Sequence, residues 1–140
     1  MKDPAHALGH FYATLTPASL ARLGDFYAAD ARFRDPFNDV TGLPAIERIF
    51  LHMFATLEAP RFEVTSCLCD GSEAMLGWRF RFGSGASLRE ICGVSHVRFD
   101  ASGRVAEHID HWDPARQLYE SVPLLGLLLR ALRRRLQAPN

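Results

Sequence analysis

Ala31-Arg-Phe-Arg-Asp-Pro-Phe-Asn-Asp39 is the stretch whose reading decides the fold. It lies between a helical run ending near Tyr27 and another starting at Leu43. Asp35 directly precedes a proline, which disfavours the α region and makes the segment extended. Ala31–Pro36 therefore reads as an apolar strand that ends by presenting a carboxylate, followed by a turn through Asn38, Asp39 and Gly42. Two roles are open to Asp35. It can serve the turn, a common task for aspartate, or it can stand as a base at the mouth of a pocket between the two helices.

Upstream, Leu8, Phe11, Tyr12 and Leu15 recur at spacings of three and four from His6 to Leu15, the pattern of an amphipathic helix. Thr16-Pro17 looks like an N-cap with proline in the first helical position. The helix it opens would carry Leu20, Leu23, Phe26 and Tyr27 and run out near Ala29. Downstream, Pro44 opens a third helix whose apolar face is Ile46, Ile49, Phe50, Met53, Phe54 and Leu57, with Pro60 as its stop. The period then changes to two. Phe62 to Leu68 alternates as a strand, and Asp70-Gly71 is a turn signal. Ala74, Leu76, Trp78, Phe80 and Phe82 share one face of the next strand. Leu88 to Asp100 and Arg104 to Trp112 come after it, joined through Ala101-Ser-Gly103. Asp113-Pro114 opens a short helix to Tyr119, and a last helix spans 123–136.

Helices first and consecutive strands afterwards describe an α+β domain. Its antiparallel, strongly curved sheet wraps the N-terminal helices into a cone with an apolar pocket. A length of 140 residues suits one such domain, 1–140. Hydrophobic residues at 48% and charged residues at 23% are ordinary for a globular protein, and a formal net charge of zero gives no global field to attract nucleic acid. Cys67, Cys69 and Cys92 lack metal-knuckle spacing and read as reduced thiols of a cytoplasmic protein. Met1-Lys-Asp-Pro-Ala-His has no apolar run for a leader. No ligand spacing suggests a metal, and no glycine-rich phosphate loop suggests a nucleotide cofactor.

The element order resembles the nuclear-transport-factor-2-like superfamily, which includes ketosteroid isomerases, polyketide cyclases, scytalone dehydratases and limonene epoxide hydrolases. Phe26-Tyr-Ala-Ala-Asp-Ala-Arg-Phe-Arg-Asp-Pro-Phe37 is similar to the isomerase segment bearing the catalytic aspartate. Val97-Arg-Phe-Asp-Ala-Ser-Gly-Arg-Val105 with His111-Trp112 resembles the last hairpin of those enzymes. By that resemblance Asp35 falls on the general base, Tyr12 on the oxyanion-hole tyrosine and Trp112 on a pocket tryptophan. Ser95 takes the place of the second, carboxylic oxyanion donor. Asp110 falls where epoxide hydrolases keep a catalytic aspartate, but Trp78-Arg-Phe-Arg81 lacks the second acid that their mechanism needs. The resemblance also implies a homodimer through the outer sheet face, where Cys92, Val94 and His96 lie.

If Trp112 faces the pocket, strand geometry puts Asp110 and His108 there too, with Glu107, Ile109 and His111 on the opposite face. Two carboxylates and an imidazole could divide acid and base roles, or Asp110 and His108 could simply satisfy each other as buried polar groups must. Tyr12 could donate to a substrate oxygen or belong to the core. Trp78, Phe33, Phe50, Phe54 and Trp112 are the expected pocket wall or core, and Ser95 and Tyr27 are expected in the substrate pocket. The last helix gathers leucines on a wide arc opposite Arg130, Arg133 and Arg134, with Arg135 inside the arc. The preferred expectation is packing on the body or on a second subunit; contact with a membrane surface is the alternative. Two function classes are open. One is a cofactor-independent isomerase, cyclase or dehydratase acting on a small hydrophobic molecule. The other is a non-catalytic module that binds such a molecule or dimerises.

Overall fold

The computed structural model describes residues 3–119 and 122–139. Met1 and Lys2, which begin the stretch read for a leader, lie outside them. The chain runs through α1 (Pro4–Ala13), a 3₁₀ segment (Ala18–Arg22), α2 (Leu23–Phe26), β1 (Tyr27–Arg34), β2 (Asp39–Thr41) and α3 (Leu43–Thr56). Then come β3 (Arg61–Asp70), β4 (Glu73–Phe82), β5 (Arg89–Phe99), β6 (Val105–His111), α4 (Pro114–Gln117) and α5 (Leu125–Leu136).

The strands form one curved, unclosed six-stranded sheet in the order β2-β1-β6-β5-β4-β3. Period-two runs from Arg61 onward make β3 through β6 a meander of antiparallel neighbours. β1 pairs antiparallel with β2 on one side but parallel with β6 on the other. The expectation of an all-antiparallel sheet is corrected at that pairing. Parallel partners need a long crossover, and α3 with the whole β3–β5 meander supplies it. Register shifts at Val64/Ser66 and Tyr27/Arg32 bend the strands.

α1 packs against β3, and α3 against β1 and β2. The core between them holds Leu8, Phe11, Leu20, Ile46, Val97 and Val105, all buried. Burying an aliphatic or aromatic side chain of this kind stabilises the fold by roughly 1.5–3 kcal/mol. Asp3 caps α1 by accepting from the Ala5 amide, and Asp113 caps α4 by accepting from Arg116. Beyond the end of β6, the Gln117 carboxamide accepts from the Cys92 amide at 2.7 Å and donates to the Cys92 carbonyl at 3.0 Å, standing in for the missing strand.

Three local expectations change. Thr16 does act as a cap, its hydroxyl accepting from the Ser19 amide, but the capped element is a 3₁₀ turn and one helical turn. Tyr27 to Ala29 is strand, because pairing with β6 begins at Tyr27. Asp39–Thr41, read as turn, is the edge strand β2, held to β1 by the two-point Arg32–Asp39 pair at 3.0 and 2.8 Å.

Candidate functional site

A cavity of about 620 Å³ opens between α3 and the curved sheet. Its size is within the range that takes a small organic ligand, and its wall is mostly aromatic and aliphatic. Phe33, Phe50, Trp78 and Trp112 line it. Phe62 and Phe80 join them because β3 and β4 pair Phe62 with Phe80 and turn both inward. Phe54 does not; it packs against the core from α3.

Asp110 is the polar group of the cavity wall that the sheet holds most firmly. Strand alternation places it with the buried His108 on the inner face of β6, while His111 is exposed. Ser95 is directly across from Asp110 in β5 and donates to Asp110 Oδ1 at 2.5 Å. His108 Nε2 meets the same oxygen at 2.6 Å. Trp78 Nε1 donates to Ser95 Oγ at 2.9 Å. On the far side of the imidazole, Tyr27 OH lies 2.7 Å from His108 Nδ1, and Tyr12 OH bonds Tyr27 OH in turn. Six residues from α1, β1, β4, β5 and β6 thus form one buried chain.

Chemistry gives that chain a direction. An indole nitrogen only donates, so the Ser95 proton points to Asp110. In the tautomer that has His108 donate through Nε2 to Asp110, Nδ1 accepts from Tyr27, whose oxygen then accepts from Tyr12. Every donor is used, and among the described residues no buried side-chain nitrogen or oxygen lacks a partner. Both side-chain bonds to Asp110 fall on Oδ1, which leaves Oδ2 for a ligand in the cavity. Burial pushes both phenols well above their ordinary value. The negative charges that Tyr27 or Asp110 would bring near Tyr12 raise it further.

Asp35 sits at the cavity rim but is committed to its turn. Its Oδ1 accepts from the Phe37 and Asn38 amides, both at 2.7 Å, and Asn38 Nδ2 reaches both carboxylate oxygens at 3.1 Å. The turn role read from Asp-Pro is the one the geometry displays. Tyr12, open as an oxyanion donor or a core residue, lies in the core bonded to Tyr27, and Tyr27, expected in the pocket, is wholly buried. Ser95 is likewise behind the wall. With Tyr12, Trp78 and Asp110 it borders a void of about 10 Å³, room for one water at most.

Arg48 and His52 were not foreseen. They stand one turn apart on α3 and line the cavity from its exposed side. Their i, i+4 spacing was visible, but a charged residue on the polar side of an amphipathic helix carries no signal of a cavity beneath it. Gly93 was also missed. A Cβ there would lie 2.5 Å from Trp78 Cη2 and 2.9 Å from the His111 carbonyl oxygen, so the indole rests directly on the glycine.

Solved structures share this fold. An NTF2-like protein of unknown function from Burkholderia pseudomallei superposes with a TM-score of 0.71 at 17% identity, over 83% of this chain and 95% of its own. A protein from Catenulispora acidiphila with a ketosteroid isomerase-like fold, in complex with trimethylamine, gives 0.69 at 15% identity over 84% and 91%. A SnoaL-like polyketide cyclase candidate from Shewanella putrefaciens gives 0.65 at 21% identity over 84% and 97%. No curated protein matches the chain in sequence. The family model described as the SnoaL-like domain matches residues 8–108, and the chain belongs to that family.

Proposed function

We propose that the protein is a cofactor-independent enzyme that abstracts a proton from carbon in a hydrophobic substrate, leading to isomerisation, cyclisation or dehydration. The observation that carries this reading is Asp110: a carboxylate in the wall of an apolar cavity, with one oxygen anchored by Ser95 and His108 and the other available. An anchored base spends little reorganisation when the substrate arrives, which is what positioning contributes to rate. His108 and the two tyrosines hold the carboxylate rather than touch substrate, so they are positioning residues. Asp35 shapes the rim.

With Tyr12 turned to Tyr27, no buried hydroxyl of the network among the described residues donates into the cavity, and Arg48 and His52 line it from the exposed side. That favours substrates whose acidic C–H lies between two carbonyls, where the product anion is delocalised within the substrate itself. Polyketide-like molecules have this chemistry, and the Shewanella putrefaciens relative is a polyketide cyclase candidate. The substrate is bound through aromatic contact with Phe33, Phe80 and Trp112, and Arg48 with His52 meets its polar end.

A second reading, a module that holds a hydrophobic ligand without converting it, has one observation in its favour. The Asp110 network is already complete among protein groups, as a purely structural cluster would be. Native mass spectrometry of the protein purified from its own cells separates the two. The enzyme converts a co-purifying molecule that the Asp110→Asn variant only retains. A molecule held equally and unchanged by both forms would assign the binding module.

A further inference from the structure

We propose that α5 docks the protein on an anionic phospholipid surface; the inference stands independently of the catalytic reading. The less exposed side of α5 is Gly126, Leu129, Arg130 and Arg133, spaced i, i+3, i+4 and i+7, buried or half-buried. The leucines point the other way. Leu124, Leu128 and Leu136 are 79%, 68% and 78% exposed, and Leu127 and Leu132 are more than half exposed. Of the two packings expected for this helix, on the body or on a second subunit, the first does not cover this arc, which faces outward, the reverse of an ordinary surface helix.

The charge on the segment identifies what covers that arc. Arg130, Arg133, Arg134 and Arg135 crowd its last two turns, and 122–139 contains no aspartate or glutamate, although the whole chain is formally neutral. Arg134 and Arg135, both exposed, thus stand beside the exposed leucines, with Arg130 and Arg133 on the half-buried side. Arg135, within the apolar arc, can bury its methylenes and raise its guanidinium to the headgroups, so it does not interrupt the contact. A helix with outward leucines, flanking arginines and no acidic residue complements the boundary between acyl chains and anionic headgroups. Pairing with α5 of a second copy would bring two basic segments together. A groove of about 360 Å³ between α5 and α4, lined by Leu129, Leu132 and Leu136 with Arg116 and Arg133, borders this face on the side of α4.

Docking has a geometric consequence. α4 comes directly after Trp112 and Asp113, and Leu118 lines the cavity, so the cavity mouth and α5 are adjacent along the chain. Docking through α5 would therefore bring the segment that borders the cavity close to the bilayer surface.

The test is co-sedimentation of the full chain with phosphatidylcholine vesicles, with and without phosphatidylglycerol. The protein is expected to bind vesicles containing phosphatidylglycerol and to be released by salt. Arg134→Gln with Arg135→Gln should weaken partitioning by about 30-fold, from roughly one tenfold-and-a-half step for two arginines. Leu124→Ser with Leu128→Ser should abolish it, with circular dichroism unchanged because both sites are exposed. Equal binding to neutral and anionic vesicles, or binding that survives both pairs, would overturn the proposal. So would a dimer in light scattering that the leucine pair disperses in a protein that ignores vesicles, which assigns the face to a second copy.

Discussion

Tyr27→Phe tests the buried chain most sharply, because the hydroxyl it removes has a partner on each side. Tyr27 is 0% exposed, and its oxygen joins Tyr12 to His108 Nδ1. Deleting it leaves the Tyr12 hydroxyl and Nδ1 buried without partners. Each of the two unsatisfied groups costs about 1–3 kcal/mol, so the variant should lose roughly 2–6 kcal/mol. Tyr12→Phe removes only the first donor while Tyr27 still serves Nδ1, and should cost about 0.5–1.5 kcal/mol. In the double variant the orphaned Tyr12 hydroxyl is gone as well, so the combined loss should fall short of the sum by roughly 0.5–3 kcal/mol. Urea unfolding of the four proteins measures this, provided the slopes agree. Losses that add to within about 0.5 kcal/mol would mean that the two hydroxyls do not share one chain, and the directional account would be wrong.

The same tyrosines set a pH dependence. Their folded pKa values are raised above 10.0, so on raising the pH the unfolded chain loses protons first and stability falls. The contribution is fully present below about pH 10 and should decline above it by about 2.7 kcal/mol per pH unit for the pair, a slope that Tyr12→Phe should halve. Urea midpoints between pH 9 and 11.5 check it; a flat profile would contradict the burial of both phenols. Gly93→Ala should cost about 1–3 kcal/mol and lift Trp78 off its strand, breaking the indole bond to Ser95. A shift in tryptophan fluorescence reports the movement, and an unperturbed spectrum with native stability would show that the contact is not tight. Asp35→Ala should loosen the turn, since it removes the acceptor of two backbone amides, yet leave proton abstraction at Asp110 in place. Loss of all activity in that variant with an intact cavity would move the base to Asp35.

Much of the fold was legible because its signals are local. The switch from helical spacing to period two after Pro60 marks the boundary between α3 and the meander, and Asp70-Gly71 and Ala101-Ser-Gly103 mark its turns. The parallel β1–β6 pairing was not legible, since no local pattern records which strand lies beside Ala31–Arg34. Tyr27 shows the same limit: its apolar spacing continues that of Leu20 and Leu23, and only pairing with Val105 makes it strand. In the site, alternation from Trp112 back to His108 correctly grouped Asp110 with the imidazole. What remained hidden was which hydroxyls satisfy that imidazole. Tyr12, Tyr27 and Ser95 are brought together by three separate elements, and no local pattern pointed to the bond between Tyr12 and Tyr27.

The central claim is that Asp110 takes a proton from carbon inside the cavity. Its most direct test is hydrogen–deuterium exchange at the acidic carbon of a hydrophobic aryl β-keto ester in deuterium oxide, read by proton NMR with binding monitored by tryptophan fluorescence. Exchange should be catalysed by the native protein and lost in Asp110→Asn, while the probe still quenches fluorescence in both. Exchange that persists unchanged in Asp110→Asn, or a probe that binds the native protein with no exchange above buffer, would contradict the claim.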